Sequence, residues 1–195
     1  MSRRGLARLA GLALAITFAS IAMSTEALSI PALVDRLTAL TPADTGRASL
    51  IDERRLVCDA LDENEPPMSR LCTGALVVDT GAGVVTAKLL VAFEHGRPAH
   101  VIVKLPAVKT TAPRDELARR FGTPCETSER PKFDEDGENI GRSVYEGWVR
   151  ARHDDDDGEP RVVVAIRDPD GVQGIGVVFD VPDEDVAELE RKCGR

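Results

Sequence analysis

Aromatic residues are scarce in this 195-residue chain, which has one Trp, one Tyr and five Phe, 4% of the whole. Proteins that stack bases or sugars rely on exposed aromatic rings, so surfaces of that kind are not expected. Positive charge is also in short supply, because 25 basic residues face 33 acidic ones and the formal net charge is −8. This balance argues against a general binder of nucleic acid or anionic membranes, which needs clustered positive charge.

The familiar catalytic and cofactor motifs are missing as well. The sequence contains no GxSxG, Walker loop, HExxH or dinucleotide-binding glycine pattern. The three histidines, His95, His100 and His153, match no paired-ligand spacing and stand at no ligand spacing from a cysteine. We therefore expect no catalytic constellation, no cofactor and no metal centre, and we favour a non-catalytic protein over an enzyme.

Acidic residues cluster in two predicted polar segments. Asp134, Asp136 and Asn139 alternate as the oxygen ligands of a calcium loop do, but the full acidic set and the distal bidentate Glu are lacking. Four consecutive aspartates, Asp154–Asp157, precede a glycine, and a divalent cation would relieve their mutual repulsion. We interpret both segments as solvated turns. Paired carboxylates could also serve glycoside hydrolysis, but no aromatic sugar platform accompanies them.

The N-terminus has the pattern of a secretory signal peptide. Arg3, Arg4 and Arg8 precede the uncharged, mostly apolar run 9–22, whose 14 residues fall short of the roughly 20 that a membrane-spanning helix needs. We predict a signal peptide over residues 1–22 with cleavage after Ala22; cleavage after Ala27 and retention as an uncleaved anchor are the alternatives. The paired arginines resemble a twin-arginine signal, but a general secretory signal fits the remaining pattern better.

Cleavage removes three arginines and no acidic residue, so the mature chain carries 22 basic and 33 acidic residues, a net charge of −11. No second apolar stretch approaches membrane-spanning length. We expect an exported protein, periplasmic or extracellular, with no membrane association after cleavage.

All four cysteines, Cys58, Cys72, Cys125 and Cys193, lie in the mature part. An even count in an exported chain indicates two disulfides, for which three connectivities are possible. We favour Cys58–Cys72 and Cys125–Cys193, because each pair then lies within one half of the chain.

Hydrophobic periodicity predicts an α+β fold, with antiparallel β-meanders packed against a few helices. Helices are expected over 30–41 and 46–61, at 111–122 between Thr111 and Gly122, and after Pro182. Strands are expected near 76–78, 85–93, 101–105, 144–151, 162–166 and 175–179, and residues 126–141 are expected to form an acidic loop.

The two halves show similar motifs in the same order. The segment 91–96 resembles 164–171, and 35–42 resembles 115–124. Two tandem helix-plus-meander units, 23–107 and 108–195, would explain this similarity; coincidence among common turn and strand residues is the alternative.

The segment 121–124, Phe-Gly-Thr-Pro, is followed by a loop, a strand with Tyr145 and Trp148, and strands split by Asp-Gly. This plan resembles the small lipoprotein of the outer-membrane β-barrel assembly machine. The tandem arrangement with disulfides is similar to the β-lactamase inhibitory proteins. The resemblance implies a fold and no functional residues, because the lipid-anchor cysteine and the aromatic binding surface are both missing.

Together these patterns predict an exported protein that acts by binding a protein partner, as an inhibitor or as an envelope-assembly module. The alternative is a small secreted hydrolase whose site the sequence does not reveal.

Overall fold

The computed structural model describes residues 27–42, 50–52, 55–59, 69–107, 110–134, 136–150, 161–179 and 181–194. Within these ranges the chain forms three helices and nine strands. The helices are α1 (Ile30–Ala39), α2 (Ala112–Phe121) and α3 (Asp183–Lys192). The strands are β1 (Leu28–Ser29), β2 (Val57–Cys58), β3 (Ser69–Asp79), β4 (Val84–Glu94), β5 (Arg97–Leu105), β6 (Glu126–Phe133), β7 (Asn139–Arg150), β8 (Arg161–Arg167) and β9 (Gln173–Val178). The predicted α+β class is confirmed.

All nine strands belong to one sheet, in the order β1-β3-β4-β5-β9-β8-β7-β6, with β2 also paired to β3. Neighbouring strands are antiparallel except for β1, which runs parallel to β3. In the middle of the sheet β5 pairs with β9, from His100 opposite Val178 to Leu105 opposite Gln173. Strands from both halves of the chain therefore share one hydrogen-bonded sheet.

The helices α1 and α2 pack against each other and against one face of this sheet. In α1, Leu33, Val34 and Leu37 recur at helical spacing and are at most 2% exposed. They meet buried side chains at alternate positions of β4, β5 and β9, such as Val91 and Val103. This single cluster draws residues from both halves of the chain and forms the main hydrophobic core.

Local signals place the helix ends. The hydroxyl of Ser29 accepts a hydrogen bond from the Ala32 amide, 3.4 Å away, at the start of α1. The helix α2 ends at Gly122, whose φ of 81° is a left-handed conformation that glycine adopts at little cost. Thr111 precedes α2 as predicted, but its hydroxyl donates to the Asp115 carboxylate instead of capping a backbone amide.

Two predictions are wrong. Val57 and Cys58 lie in the strand β2 rather than in a helix over 46–61, because pairing with Thr73 and Cys72 holds them extended. Residues 126–133 form the strand β6 rather than part of a loop. As an edge strand, β6 is exposed on one side, so its charges and Pro131 are tolerated and the usual apolar alternation is missing.

The structure brings the cysteines together in the two predicted pairs, with Cα–Cα distances of 3.9 Å for Cys58–Cys72 and 4.4 Å for Cys125–Cys193. Of the helices described, none has the length and apolar character needed to cross a membrane. The predicted signal peptide 1–22, His153 and Asp154–Asp157 lie outside the described residues.

Candidate functional site

The second face of the sheet, opposite α1 and α2, is uncovered over most of its width by the elements that the structure describes. The strand register shows which side chains share this face, which we call the open face. Its partly or strongly exposed apolar and aromatic members include Val57, Leu71, Val77, Val84, Leu90, Ile102, Tyr145, Val164, Ile166 and Val178. Its basic members include Lys88, His100, Lys104, Arg130 and Lys132.

The helix α3 covers one end of the open face. Its buried Val186 packs against Val149 of β7, with Val181 and Leu189 alongside. The disulfide from Cys193 to Cys125 joins the end of α3 to the residue before β6. The described helices therefore leave the remaining width of the face, from β2 to β8, open.

Several side chains on the open face are far more exposed than is usual for their type. Five large hydrophobic residues among those described are strongly exposed, and three of them, Val57 (75%), Leu71 (45%) and Val84 (63%), lie on this face. The other two, Phe133 and Ile140, flank the turn between β6 and β7. Exposed apolar side chains that share one face can mark an interaction surface.

Two glycines in β9 shape the centre of the face. A Cβ atom at Gly176 would lie 2.4 Å from the Val101 carbonyl oxygen and 2.9 Å from Cγ1 of Ile102. At Gly174 a Cβ would lie 3.4 Å from Cβ of Ile166 and 3.6 Å from Cγ2 of Ile102. Because β9 has no side chain here, Ile102 and Ile166 lie over it from either side and make the apolar surface continuous.

Lys88 and Lys104 stand directly opposite each other on β4 and β5, two residues along the strands from the Leu90 and Ile102 pair. Neither ammonium has an ion-pair partner among the described residues. The other two lysines described, Lys132 and Lys192, each contact two carboxylates. The open face thus combines apolar surface with two uncompensated positive charges.

A buried polar cluster beside the turn between β8 and β9 is the strongest catalytic candidate. The Ser143 hydroxyl donates to Oδ1 of Asp168 at 2.6 Å, and Lys132 Nζ lies 2.8 Å from the other oxygen and 2.9 Å from Asp170. Burial alone would lower the pKa of Lys132, but hydrogen bonds to the two aspartates outweigh it and raise the pKa. Lys132 therefore stays protonated and cannot act as a base for Ser143, so the cluster is suited to joining β6, β7 and the β8–β9 turn.

A cavity of about 190 Å³ lies between the start of α2 and strands β7 to β9, lined in part by Thr111, Arg114, Glu146 and Gln173. Two of its four charged lining residues satisfy each other, since Arg114 Nε and Nη2 both lie 2.9 Å from oxygens of Glu146. This bidentate pair leaves little hydrogen-bonding capacity on Arg114 and Glu146 for a ligand.

In the predicted acidic turn, the side-chain oxygens accept hydrogen bonds from backbone amides of the turn itself. One oxygen of Asp134 accepts the amides of Asp136 and Glu138, at 3.1 and 2.8 Å, and the Asn139 side chain accepts the Gly141 amide. The residues that the structure describes contain no group of three or more His, Cys, Asp or Glu able to hold a metal ion. His95 lies in the exposed β4–β5 turn with a φ of 49°, and His100 lies on the open face.

Neither the protein-family models nor the curated proteins nor the solved structures that were compared with this chain match it. Any functional interpretation must therefore come from the site itself.

The alternation that predicts β4 and β5 rests on the buried residues, such as Val91 and Val103. In β4 and β5, however, Leu90 and Ile102 are apolar at positions that alternate with the core residues. Apolar residues at the positions between the core residues are the signal that could have revealed the open face.

Proposed function

We propose that this chain is an exported, non-catalytic protein that acts by binding another protein through the open face of its sheet. The observation that carries the proposal is the continuous apolar surface around Ile102 and Ile166, which the described elements leave uncovered. A surface of this kind is costly to keep in water unless a partner covers it. The role is that of an inhibitor or of an envelope-assembly module.

The polar clusters support a binding role because their polar groups are hydrogen-bonded to one another. Ser143 is held by Asp168, and Arg114 by Glu146, so neither group is positioned to attack or to bind a substrate. On the open face, by contrast, Lys88 and Lys104 have no ion-pair partner among the described residues.

We further infer that residues 23–107 and 108–195 are two similar units. Each has a helix followed by antiparallel strands: α1 precedes β3 to β5, and α2 precedes β6 to β9. The last strands, β5 and β9, pair at the centre, and α1 packs against α2, as an approximate two-fold relation would require. This arrangement supports the resemblance to the β-lactamase inhibitory proteins; superposing β3–β5 with α1 on β7–β9 with α2 in an experimental structure tests it.

Export through a signal peptide over residues 1–22 completes the proposal. The two cysteine pairs at disulfide distance support an oxidising compartment, the periplasm or the extracellular space. N-terminal sequencing of the protein recovered from the periplasm or culture fluid should begin at Met23.

A photo-crosslinking experiment tests the binding role. A photoreactive phenylalanine replaces Leu71 on the open face or, as a control, the exposed Arg36 on the helix side of the molecule. After irradiation in the native envelope or culture fluid, mass spectrometry should identify one stoichiometric protein adduct from position 71 and not from position 36. The substitution Ile102→Asp in the position-71 chain should abolish that adduct.

No adduct from position 71, or the same adducts from both positions, would contradict the binding role. A small molecule recovered with the purified chain and no protein adduct would favour the alternative, a secreted hydrolase.

A further inference from the structure

We propose that the partner carries acidic side chains, and that Lys88 and Lys104 on the open face receive them. This inference rests on the proposed function and specifies the chemistry of the partner. Its basis is the juxtaposition of two ammonium groups on adjacent strands with no carboxylate to neutralise them.

The lysine pair is unfavourable in the isolated chain. Like charges directly opposite each other on neighbouring strands repel and destabilise a sheet. The net charge of the chain is −8, so carboxylates are abundant, yet none reaches either ammonium among the described residues. A partner carboxylate placed between Lys88 and Lys104 would relieve the repulsion and form charge-assisted hydrogen bonds.

The acidic residues that share this face lie away from the lysine pair. Asp79 lies opposite Val84, four residues before Lys88, and Glu94 lies six residues after Lys88 at the other end of β4. The third, Glu126, lies 3.2 Å from Lys192 Nζ. The cross-strand row that contains Lys88 and Lys104 continues to Tyr145 of β7. There Arg130 lies over the Tyr145 ring, 5.3 Å from its centroid. The field over the middle of the open face is therefore positive although the whole chain is acidic.

The surroundings of the lysines favour a protein over a polyanion. Ile166 lies next to Gly174 in the same cross-strand row, and Leu90 and Ile102 occupy the row beside it. A nucleic acid or an anionic bilayer would need many basic groups, and the acidic remainder of this chain would repel it. An acidic residue flanked by apolar ones matches the pattern of charge and apolar surface more closely.

A phage-displayed library of random linear peptides is a suitable probe, selected on the full chain immobilised without reducing agent. We expect the enriched peptides to combine Asp or Glu with apolar residues and to bind less tightly as salt rises. The double variant Lys88→Glu/Lys104→Glu should bind the enriched synthetic peptides about tenfold more weakly or worse. The variant Lys88→Arg/Lys104→Arg should bind them within about twofold of the original chain, because the charge is kept.

The matched control is Arg36→Glu/Arg191→Glu, which changes the net charge equally at two exposed positions off the open face. It should leave peptide binding unchanged, and a thermal melt confirms that every variant is folded. Enriched peptides without acidic residues, or binding that survives the lysine reversal, would overturn the inference.

The variant Ile102→Asp separates this inference from the proposed function. Peptides that bind the Lys88→Glu/Lys104→Glu variant normally but fail to bind Ile102→Asp would support an open-face binder with a different partner chemistry. Peptides insensitive to both, or a selection without binders, would overturn both proposals. Tighter binding to phosphatidylglycerol vesicles than to any peptide would identify a lipid surface instead and overturn the inference.

Discussion

At Gly176 the close packing of β5 against β9 leaves no room for a side chain. Gly176 sits in β9 between β5 and β8, opposite Ile102 and Val164. Its backbone is not in the left-handed region, so the requirement for glycine is purely spatial. The space that a Cβ would need is taken by the Val101 carbonyl and the Ile102 side chain.

We expect Gly176→Ala to destabilise the fold by about 1–3 kcal/mol, the usual cost of overpacking a tight site. The reason is the 2.4 Å approach of the new Cβ to the Val101 oxygen, which the backbone can relieve only by moving β5 and β9 apart. Urea unfolding of the variant and the original chain measures the difference.

The matched control is Gly147→Ala on the same face, where the nearest atom to a new Cβ is Val162 Cγ1 at 3.9 Å, an ordinary contact. Alanine there should be neutral or stabilising by up to about 1 kcal/mol, because it restricts the unfolded chain. Equal free energies of unfolding for the two variants would show that β9 accommodates the new Cβ without loss of stability.

At the scale of elements, a chain of ion pairs joins α1 to α2. Arg119 donates to both oxygens of Glu116 at 2.8 and 2.7 Å, and Arg120 donates to one of them at 2.6 Å. Arg120 also contacts the Asp35 carboxylate and the Pro31 carbonyl oxygen of α1. The hydrogen bonds from Arg119, helped by Arg120, lower the pKa of Glu116 to about 2.

The lowered pKa predicts how stability depends on pH. A carboxyl group whose pKa is lower in the folded state stabilises the fold above its unfolded pKa, about 4.5, and loses this contribution as the pH falls towards 2. Glu116→Gln should therefore lower stability by about 1 kcal/mol at neutral pH, since the partner Arg119 is well exposed, and by almost nothing near pH 2. Chemical denaturation across this pH range measures the difference.

Glu184→Gln on the exposed start of α3 is the control, and its effect should not follow the same pH profile. A Glu116→Gln effect that is constant from pH 7 to pH 2 would show that the carboxylate does not hold the two helices.

The turn between β6 and β7 gives a second prediction at this scale. Because Asp134 already accepts two backbone amides, its oxygen is engaged without a cation. Calcium should leave the Tm unchanged beyond the effect of ionic strength, whereas a ligand at 100 times its Kd would add about 2.7 kcal/mol. Thermal melts with calcium chloride and with sodium chloride of equal ionic strength make the comparison. A saturable calcium-dependent rise that Asp134→Asn removes would reverse our interpretation.

At the scale of the whole molecule, α3 depends on tertiary contacts. A ten-residue helix is marginal alone in water. Val186 is buried against β7 and Cys193 is bonded to Cys125, so one apolar contact and one covalent link hold the chain end to the sheet.

We expect Cys193→Ser to destabilise the fold by about 2–5 kcal/mol, the usual cost of losing a native disulfide. Truncation after Pro182 should be at least as harmful, because it also removes Val186. The exposed Ala187→Ser is the control and should change stability by about 0.5 kcal/mol or less. Melting of the truncated chain at the temperature of the full chain would show that α3 contributes nothing to stability.

Much of the architecture could be read from local patterns. The strands β4 and β5 were predictable because Val91 and Val103 belong to strict alternations, and α2 because Pro113 and Gly122 mark its ends. The strand β6 was not predicted because an edge strand with one neighbour needs no apolar face. The strand β2 was not predicted because its two residues are too few to show a period-two alternation.

The sequence by itself determined the α+β class and the boundaries of α1 and α2 to within two residues, since these depend on short-range periodicity and on local helix-end signals. Only the tertiary structure decided that β5 pairs with β9, and that pairing creates the open face. Lys104 and Ile102 come from one strand, and Gly174 and Gly176 from another about 70 positions along the chain. No local pattern encodes which strands become neighbours, because the pairing depends on how two apolar helix surfaces and one shared core are buried together.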